Sequence, residues 1–445
     1  MKIGFIHPDL GIGGAERLVV DAAVGLQSLG HQVTIFTSHH DPNHCFEETK
    51  DGTLRVVVLG NTIVPPKVAG RFAILCAILR QIHLTYALIS ECGGDQVDVF
   101  IVDQLSVCVP ILRKYLPGRI LFYCHFPDQL LAKRESIIKR LYRIPFDWVE
   151  NWSTDLSDVL VVNSKFTRSV FKNTFTGIYR SPEVIYPAVT INQDPDNKQL
   201  ITILKNWKVV LSVNRFERTK NIELAIKSFG EFCHKDKNAR LFVAGGYDAR
   251  VQENISYLAE LQELVSQLGL ISSTVYGHDK EASDFVDDTK VIFLPSVSSA
   301  VKNTLLRKAR LLMYTPTNEH FGIVPLEAMQ YGTPVLATNT GGPLETIEDG
   351  VTGWNRPPDV QVWAKVLEHV MVDMSGEERQ KMAEAAKKRV AENFSLDKMT
   401  QEFDTQVVAA SNVDRQSIES LEQALVWMKS GFIVLVVCII VALFS

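Results

Sequence analysis

Paired cysteines are absent. The seven cysteines are Cys45, Cys76, Cys92, Cys108, Cys124, Cys233 and Cys438, and none forms a Cys-x-x-Cys pair. Most sit in apolar runs, where a free thiol behaves as a small hydrophobe. That argues against a disulfide framework and a zinc site, and for a reducing compartment. A basic excess is also missing. The net charge is -5, which argues against a nucleic-acid binder. The Asn-x-Ser sequons at Asn151, Asn254 and Asn393 carry no sugar in a cytosolic chain. The N-terminus reads as a strand opened by Lys2 and stopped at Pro8, not as a signal peptide.

One stretch lacks charge altogether. Residues 430–445 read SGFIVLVVCIIVALFS. As a helix at ~1.5 Å per residue this is about 24 Å long, short of a hydrocarbon core of ~30 Å. Trp427 and Lys429 precede it, as an interfacial anchor and a snorkelling cation would. The alternative is a buried terminal helix or strand. A run with no polar face for water favours a hydrophobic membrane segment, and leaves open whether it spans the bilayer or only dips in.

What is present is globular. The chain has 445 residues, 46% hydrophobic and 22% charged, too long for one ordinary core. Residues 2–7 read as a strand, 8–14 as a Gly-rich turn, and Ala15, Leu18, Val19, Ala22, Ala23 and Leu26 recur at helical spacing before Gly30 and a strand at 32–37. This β-α-β unit implies a parallel sheet. Further strands are expected at 54–59, 97–102, 120–124 and 159–163. The grammar restarts after a polar stretch at 192–198. It gives a strand at 208–213, a helix at 222–232 and strands at 239–244, 274–276, 291–294, 310–314 and 334–337. We divide the chain into an N-terminal domain (1–200), a second α/β domain (201–395), a helical tail (396–429) and the apolar run (430–445). In open parallel sheets ligands bind at the carboxyl ends of the strands, so two such sheets facing across a cleft would hold a ligand between them.

Several residues stand where chemistry is done. Gly13 and Gly14 lie between a strand and an amphipathic helix, where backbone can approach an anion at the helix N-terminus. A ligand-free tight turn is the other reading. The dinucleotide fingerprint fails because Glu16 stands in its third glycine place, and 34–38 offers no acid. That weighs against a dinucleotide-dependent oxidoreductase. Arg215 and Lys220 follow the strand at 208–213; cations there suit a diphosphate, or belong to a solvated loop with Glu217 and Arg218. Glu319 lies in the loop after 310–314. Pro325 suits a first helical turn, which places Glu327 in that turn, favoured by the helix dipole, with Gly332 ending the helix. Carboxylates accept from vicinal hydroxyls, so Glu319 and Glu327 suit a sugar and a nucleoside; surface roles are the alternative. His125 ends a strand in ILFYCHFPD. Asp194-Pro195-Asp196 is a D-x-D in a polar linker, a weak metal candidate.

Two segments suit a membrane surface. Lys133, Arg134, Lys139, Arg140 and Arg143 alternate with Leu130, Leu131, Ile137, Ile138, Leu141 and Trp148, as in a basic amphipathic helix. VAGRFAILCAILRQIHL, around 72–84, is a second candidate. Ordinary packed helices are the alternative for both.

Together, Gly13-Gly14, His125, Arg215 with Lys220, and Glu319-x7-Glu327 followed by Gly341-Gly342-Pro343 resemble the retaining glycosyltransferases of family 4, with the GT-B fold. GGAERLVVDAA, YCHFPDQLLA, NSKFTRSVF and YTPTNEHFGIVPLEAM are similar to the dolichol-pathway alpha-1,3/alpha-1,6-mannosyltransferases. The resemblance covers about residues 1–400 and is thinnest at 190–205 and 270–310. It implies two Rossmann-like domains, acceptor on the first and GDP-mannose mainly on the second. Arg215 and Lys220 would meet the diphosphate, Glu327 the ribose and Glu319 the mannose hydroxyls. His320, Phe321, Gly322 and Ile323 would line the donor site, Gly13 and Gly14 would approach the phosphates, and His125 would contact the transferred sugar. It further implies front-face retention without a metal or other cofactor, and a dolichol-diphosphate-linked oligosaccharide as acceptor. Partners implied are membrane lipid and other early transferases of that pathway, at the cytosolic face of the endoplasmic reticulum. A related GT-B enzyme with another donor or lipid acceptor is the nearest rival, and a non-catalytic membrane scaffold the more distant one.

Overall fold

The computed structural model describes residues 1–65, 73–91, 96–131, 137–190, 196–276 and 288–415. The chain divides into two compact units. One comprises Met1–Asn163 and Thr167–Ile185 and takes back the chain from Met399; the other comprises Ser164–Phe166 and Tyr186–Lys398. The crossing at 185/186 differs from the 200/201 boundary read from composition, and the tail's described part returns to the first unit.

In the first unit β1 (Lys2–His7), α1 (Gly14–Ser28), β2 (Gln32–Thr37), β3 (Arg55–Val58), α2 (Ala73–Glu91), β4 (Val99–Asp103), α3 (Val109–Tyr115), β5 (Arg119–Cys124), α4 (Asp128–Leu131), α5 (Ile137–Asp155), β6 (Val159–Val162), α6 (Lys165–Thr174) and β7 (Glu183–Val184) follow in order. Among the described residues the strands form one sheet, ordered β3-β2-β1-β4-β5-β6-β7, and every pairing is parallel. The order reverses between β1 and β4. Strands covered on both faces read as unbroken apolar runs, and all of β4, VFIVD, is buried.

In the second unit α7 (Lys198–Leu204), β8 (Lys208–Val213), α8 (Ile222–Phe232), β9 (Ala239–Gly245), α9 (Gln252–Gln267), β10 (Ser272–Thr274), β11 (Val291–Pro295), α10 (Ser299–Lys308), β12 (Ala309–Tyr314), α11 (Ile323–Met329), β13 (Val335–Thr338), α12 (Pro343–Thr346), β14 (Gly353–Arg356), α13 (Val360–Glu368) and α14 (Gly376–Asn393) follow. The parallel sheet runs β10-β11-β9-β8-β12-β13-β14. Its order reverses between β8 and β12. Alternate residues of each strand enter opposite cores, as period-2 geometry requires. Val210, Leu241, Val243 and Phe293 pack with Phe229 and Trp363. Leu211, Phe242 and Leu312 pack with Leu326 and Met329. Each such side chain contributes roughly 1.5–3 kcal/mol.

The last described helix, α15 (Leu396–Ser411), docks on the first unit through Phe403. That ring stacks on Tyr123 with centroids 5.6 Å apart. Asp404 accepts from His31 at 2.8 Å, and Thr400 packs so closely on α1 that a Cβ at Gly25 would lie 2.0 Å from its Oγ1.

Among the described residues no helix is long and apolar enough to cross a membrane; the run at 430–445 lies outside them. The segment around α2 is an ordinary packed helix. Leu75, Cys76, Ile78, Leu84 and Leu88 are core residues, so its apolar side is not open to lipid. Lys133 and Arg134 lie outside the described residues. Arg143 corrects the reading of α5 as basic on its outer face: it is buried and paired with Asp128 at 2.8 Å and Asp147 at 3.0 Å.

Candidate active-site residues in the two units

In the second unit the candidate residues gather at the carboxyl ends of β8 and β12, the switch point where α/β sheets place ligands. The loop after β8 carries Arg215 and turns through Asn221, at φ 48, into α8. The loop after β12 carries Glu319. Lys220 Nζ donates to Glu319 Oε2 at 2.6 Å, and Thr315 Oγ1 donates to the Lys220 carbonyl at 2.6 Å. Arg215 does not join this pair. It is exposed and pairs with Glu217 at 2.9 Å. Beneath them Tyr314 is buried, and burial first, then the Glu319 carboxylate to which its hydroxyl is hydrogen-bonded, push its phenol well above the usual range.

The 319–322 backbone is shaped by glycines. Gly342 N–H donates to the Glu319 carbonyl at 2.8 Å. A Cβ on Gly341, at φ +71, would stand 2.5 Å from that same oxygen, so only glycine fits. Gly322 starts α11 at φ 81 with no side-chain cap. His320 is held through its carbonyl, which accepts from Ser164 Oγ at 2.6 Å. Phe321 is buried, stacked on Tyr186 at 5.7 Å and near Phe394 at 5.9 Å. Its ring is therefore core, and only its backbone faces the loop. Ile323 is half-buried against the same core.

Glu327 needs a correction. The helix begins at Ile323, so Glu327 lies in its second turn, beyond the strongest part of the dipole. Its charge is met instead by Lys302 of α10, 2.8 Å from Oε1. Oε2 is buried without a hydrogen-bond partner. A buried carboxylate oxygen is costly to leave unpaired, and this one is suited to a hydroxyl. Lys302 has no local sequence signal. Of the D-x-D, Asp194 and Pro195 lie outside the described residues, and Asp196 pairs with Arg307 of α10.

In the first unit the switch point lies between β1 and β4. Gly13 N-caps α1 in extended backbone. A Cβ on Gly14 would meet nothing within 4 Å, so internal packing does not demand glycine there. Arg80 of α2, buried, donates to the Ser38 carbonyl at 3.0 Å and pairs with Asp9 at 3.2 Å, fixing the chain ahead of the turn. His125 follows β5, and its Nε2 lies 3.0 Å from Asp103 Oδ2. Asp103 ends β4 and also faces His7 Nδ1 at 2.8 and 2.9 Å. The sequence alone singles out neither Asp103 nor His7; each ends a strand at its carboxyl edge, which is the available signal. From α5, Glu150 accepts from the N–H groups of Asp128 and Gln129 at 2.7 and 3.0 Å and so holds the chain just after His125. Burial, then the Asp128 charge, raise Glu150 to about 7.

Known families match the chain in two parts. The family described as Glycosyltransferase Family 4 matches residues 12–193, and Glycosyl transferases group 1 matches 193–389. The Alpha-1,3/1,6-mannosyltransferase ALG2 of Kluyveromyces lactis is 50% identical over 91% of this chain and 84% of its own. The ALG2 of Rhizomucor pusillus is 44% identical over 99% and 98%. The chain belongs to the ALG2 family of alpha-1,3/1,6-mannosyltransferases. Solved structures support the same two-unit fold. A glycosyltransferase from Rickettsia africae superposes with a TM-score of 0.69 at 16% identity, covering 93% of this chain and 99% of that one. The sucrose-phosphate synthase of Thermosynechococcus elongatus gives 0.69 at 19% identity, covering 92% and 100%. Family membership and fold thus confirm the resemblance read from the motifs.

Proposed function

We propose that the protein transfers mannose from GDP-mannose, with retention, to a lipid-diphosphate-linked Man1GlcNAc2. It adds alpha-1,3 and alpha-1,6 mannoses to give Man3GlcNAc2 on dolichol diphosphate for N-glycan precursor synthesis. The observation that carries this is the ALG2 membership joined to a cation–carboxylate pair, Lys220 and Glu319, formed at the switch point of the donor-side sheet.

Arg215 and Lys220 meet the charge that grows on the leaving diphosphate. Of the two, Lys220 stands beside Glu319, and this reading invokes no metal. Glu327 accepts from the ribose through Oε2, and Glu319 from the mannose hydroxyls. Gly13 and Gly14 leave room for phosphate, and His125 contacts the transferred sugar. The leaving phosphate takes the acceptor's proton on the front face.

The lipid-linked acceptor requires work at a membrane surface, on the cytosolic face of the endoplasmic reticulum. The run at 430–445 is one contact. A second is an outer face of α5, where Leu141, Ile144 and Trp148 recur at spacings of three and four and are all more than half exposed. Leu130 and Leu131 beside it are also exposed.

The test uses detergent-purified protein, GDP-mannose and synthetic lipid-diphosphate Man1GlcNAc2, with product mass as readout. Two added hexoses, lost in Glu327→Ala, support the reading. One added hexose narrows it to a single linkage. Transfer from a UDP-sugar alone sinks it.

A further inference from the structure

Three strands of the first unit converge on one buried carboxylate. β1 ends in His7, β4 in Asp103, and His125 follows β5. Asp103 lies 2.8 and 2.9 Å from His7 Nδ1, and 3.0 Å from His125 Nε2. A carboxylate only accepts, so both ring nitrogens that face it carry hydrogens. On His125 the Nε2–H therefore points inward and Nδ1 points away from Asp103. His7 and Asp103 are buried, whereas the His125 side chain is 20% exposed.

We propose that Asp103, braced by His7, is the positioning residue for His125: it fixes the ring so that Nδ1 is presented as an acceptor to a hydroxyl of the hexose being transferred. This rests on the reading of His125 as a sugar contact. The bracing follows from burial. A lone carboxylate in the interior takes up a proton. A protonated Asp103 would donate to one histidine and reverse that ring's tautomer. His7 prevents this by supplying a cation. Burial alone disfavours charge on His7, but Asp103 and then Glu16 outweigh it and raise it to about 10. Burial likewise opposes ionisation of Asp103, yet His7 and His125 hold it at about 2. Glu16 of α1 closes the array, 3.9 Å from His7 Nε2, too far for a hydrogen bond but within reach of its charge. The array thus runs from the Gly13-Gly14 turn to His125. Among the described residues, other titratable groups facing it include Tyr123 of β5 and Cys108, both raised by burial and by Asp103, and Glu402 of α15 beyond Tyr123.

The test measures kcat and KM for mannose transfer between about pH 5 and about pH 8, with GDP affinity as a check on the second unit. In Asp103→Asn we expect kcat to fall about 10²-fold with GDP affinity unchanged, and the acid limb of kcat/KM to move to lower pH, because an anion beside His125 is gone. In His7→Gln the acid limb moves the other way, to higher pH, because the cation that shared Asp103 is gone. A uniform fall in both variants without opposite movement of the limbs means a scaffold role and overturns the proposal. So does a wild-type profile in either. If Asp103→Asn does not fold, ¹⁵N-histidine spectra of the wild-type protein decide, with the His125 signal assigned by its loss in His125→Gln. An Nε2–H tautomer is expected, and an Nδ1–H tautomer overturns the proposal. Wild-type protein that transfers no mannose, or full activity in His125→Gln, sinks the underlying functional reading instead.

Discussion

Lys220 Nζ reaches Glu319 Oε2 at 2.6 Å, joining the loop after β8 to the loop after β12 at the point where the second sheet's order reverses. The pair ties the two loops together and fixes where the cation and the carboxylate stand. Lys220→Ala removes a cation and leaves the Glu319 carboxylate to Tyr314. We expect kcat to fall about 10²- to 10³-fold in steady-state transfer from GDP-mannose. Lys220→Arg should restore little, because a planar fork does not replace a point charge.

Glu327 offers one oxygen to Lys302 and keeps the other buried and unpaired. Glu327→Ala should weaken GDP about tenfold or more, read by intrinsic tryptophan fluorescence. Guanosine should show a similar loss, since the ribose is the group affected. A GDP affinity equal to wild type would remove Glu327 from the nucleoside site.

Gly341 and Gly14 separate structure from function. Gly341 sits at φ +71, and a Cβ there would come within 2.5 Å of the Glu319 carbonyl, so Gly341→Ala should cost about 1–3 kcal/mol in denaturant unfolding. Gly14→Ala meets nothing within 4 Å and should change stability by less than about 0.5 kcal/mol. Its effect should appear as lost transfer activity, measured in the same preparation.

Stability should fall on the alkaline side through His7. Its folded value of about 10 lies above the ordinary 6.5, so the folded state keeps a proton that the unfolded chain releases. That contribution is complete below pH 6.5 and is lost as the pH rises through about 10. Asp103 works oppositely: its contribution is present above 3.8 and is lost as the pH falls through about 2. Urea midpoints measured across the alkaline window should decline more steeply in the wild-type protein than in His7→Gln.

The exposed stripe on α5 should act at a lipid surface and nowhere else. Replacing Leu141, Ile144 and Trp148 together by serine should lower sedimentation with anionic vesicles about tenfold or more, since each removes apolar contact area. GDP affinity should stay at the wild-type level. Unchanged sedimentation would leave the run at 430–445 as the sole proposed anchor.

Much of this protein was determined by the sequence alone. β8 and α8 fall where hydrophobic periodicity places them, at 208–213 and 222–232, because a strand buried on both faces and a helix buried on one leave distinct local patterns. Lys220, Glu319 and His125 are legible as candidates because each lies in the connection that follows a strand's carboxyl end. What the tertiary structure decided are the partners. Asp103 lies 22 residues from His125 and 96 from His7, and Lys302 lies 25 from Glu327. No local periodicity encodes which strand neighbours which, and that order decides which carboxylate a buried histidine meets. Arg143 shows the same limit: by spacing it belongs to a basic outer face, but two acids on the inner side draw it into the interior. Local sequence sets elements and their apolar faces. Sheet order and burial set the charges that must then find each other.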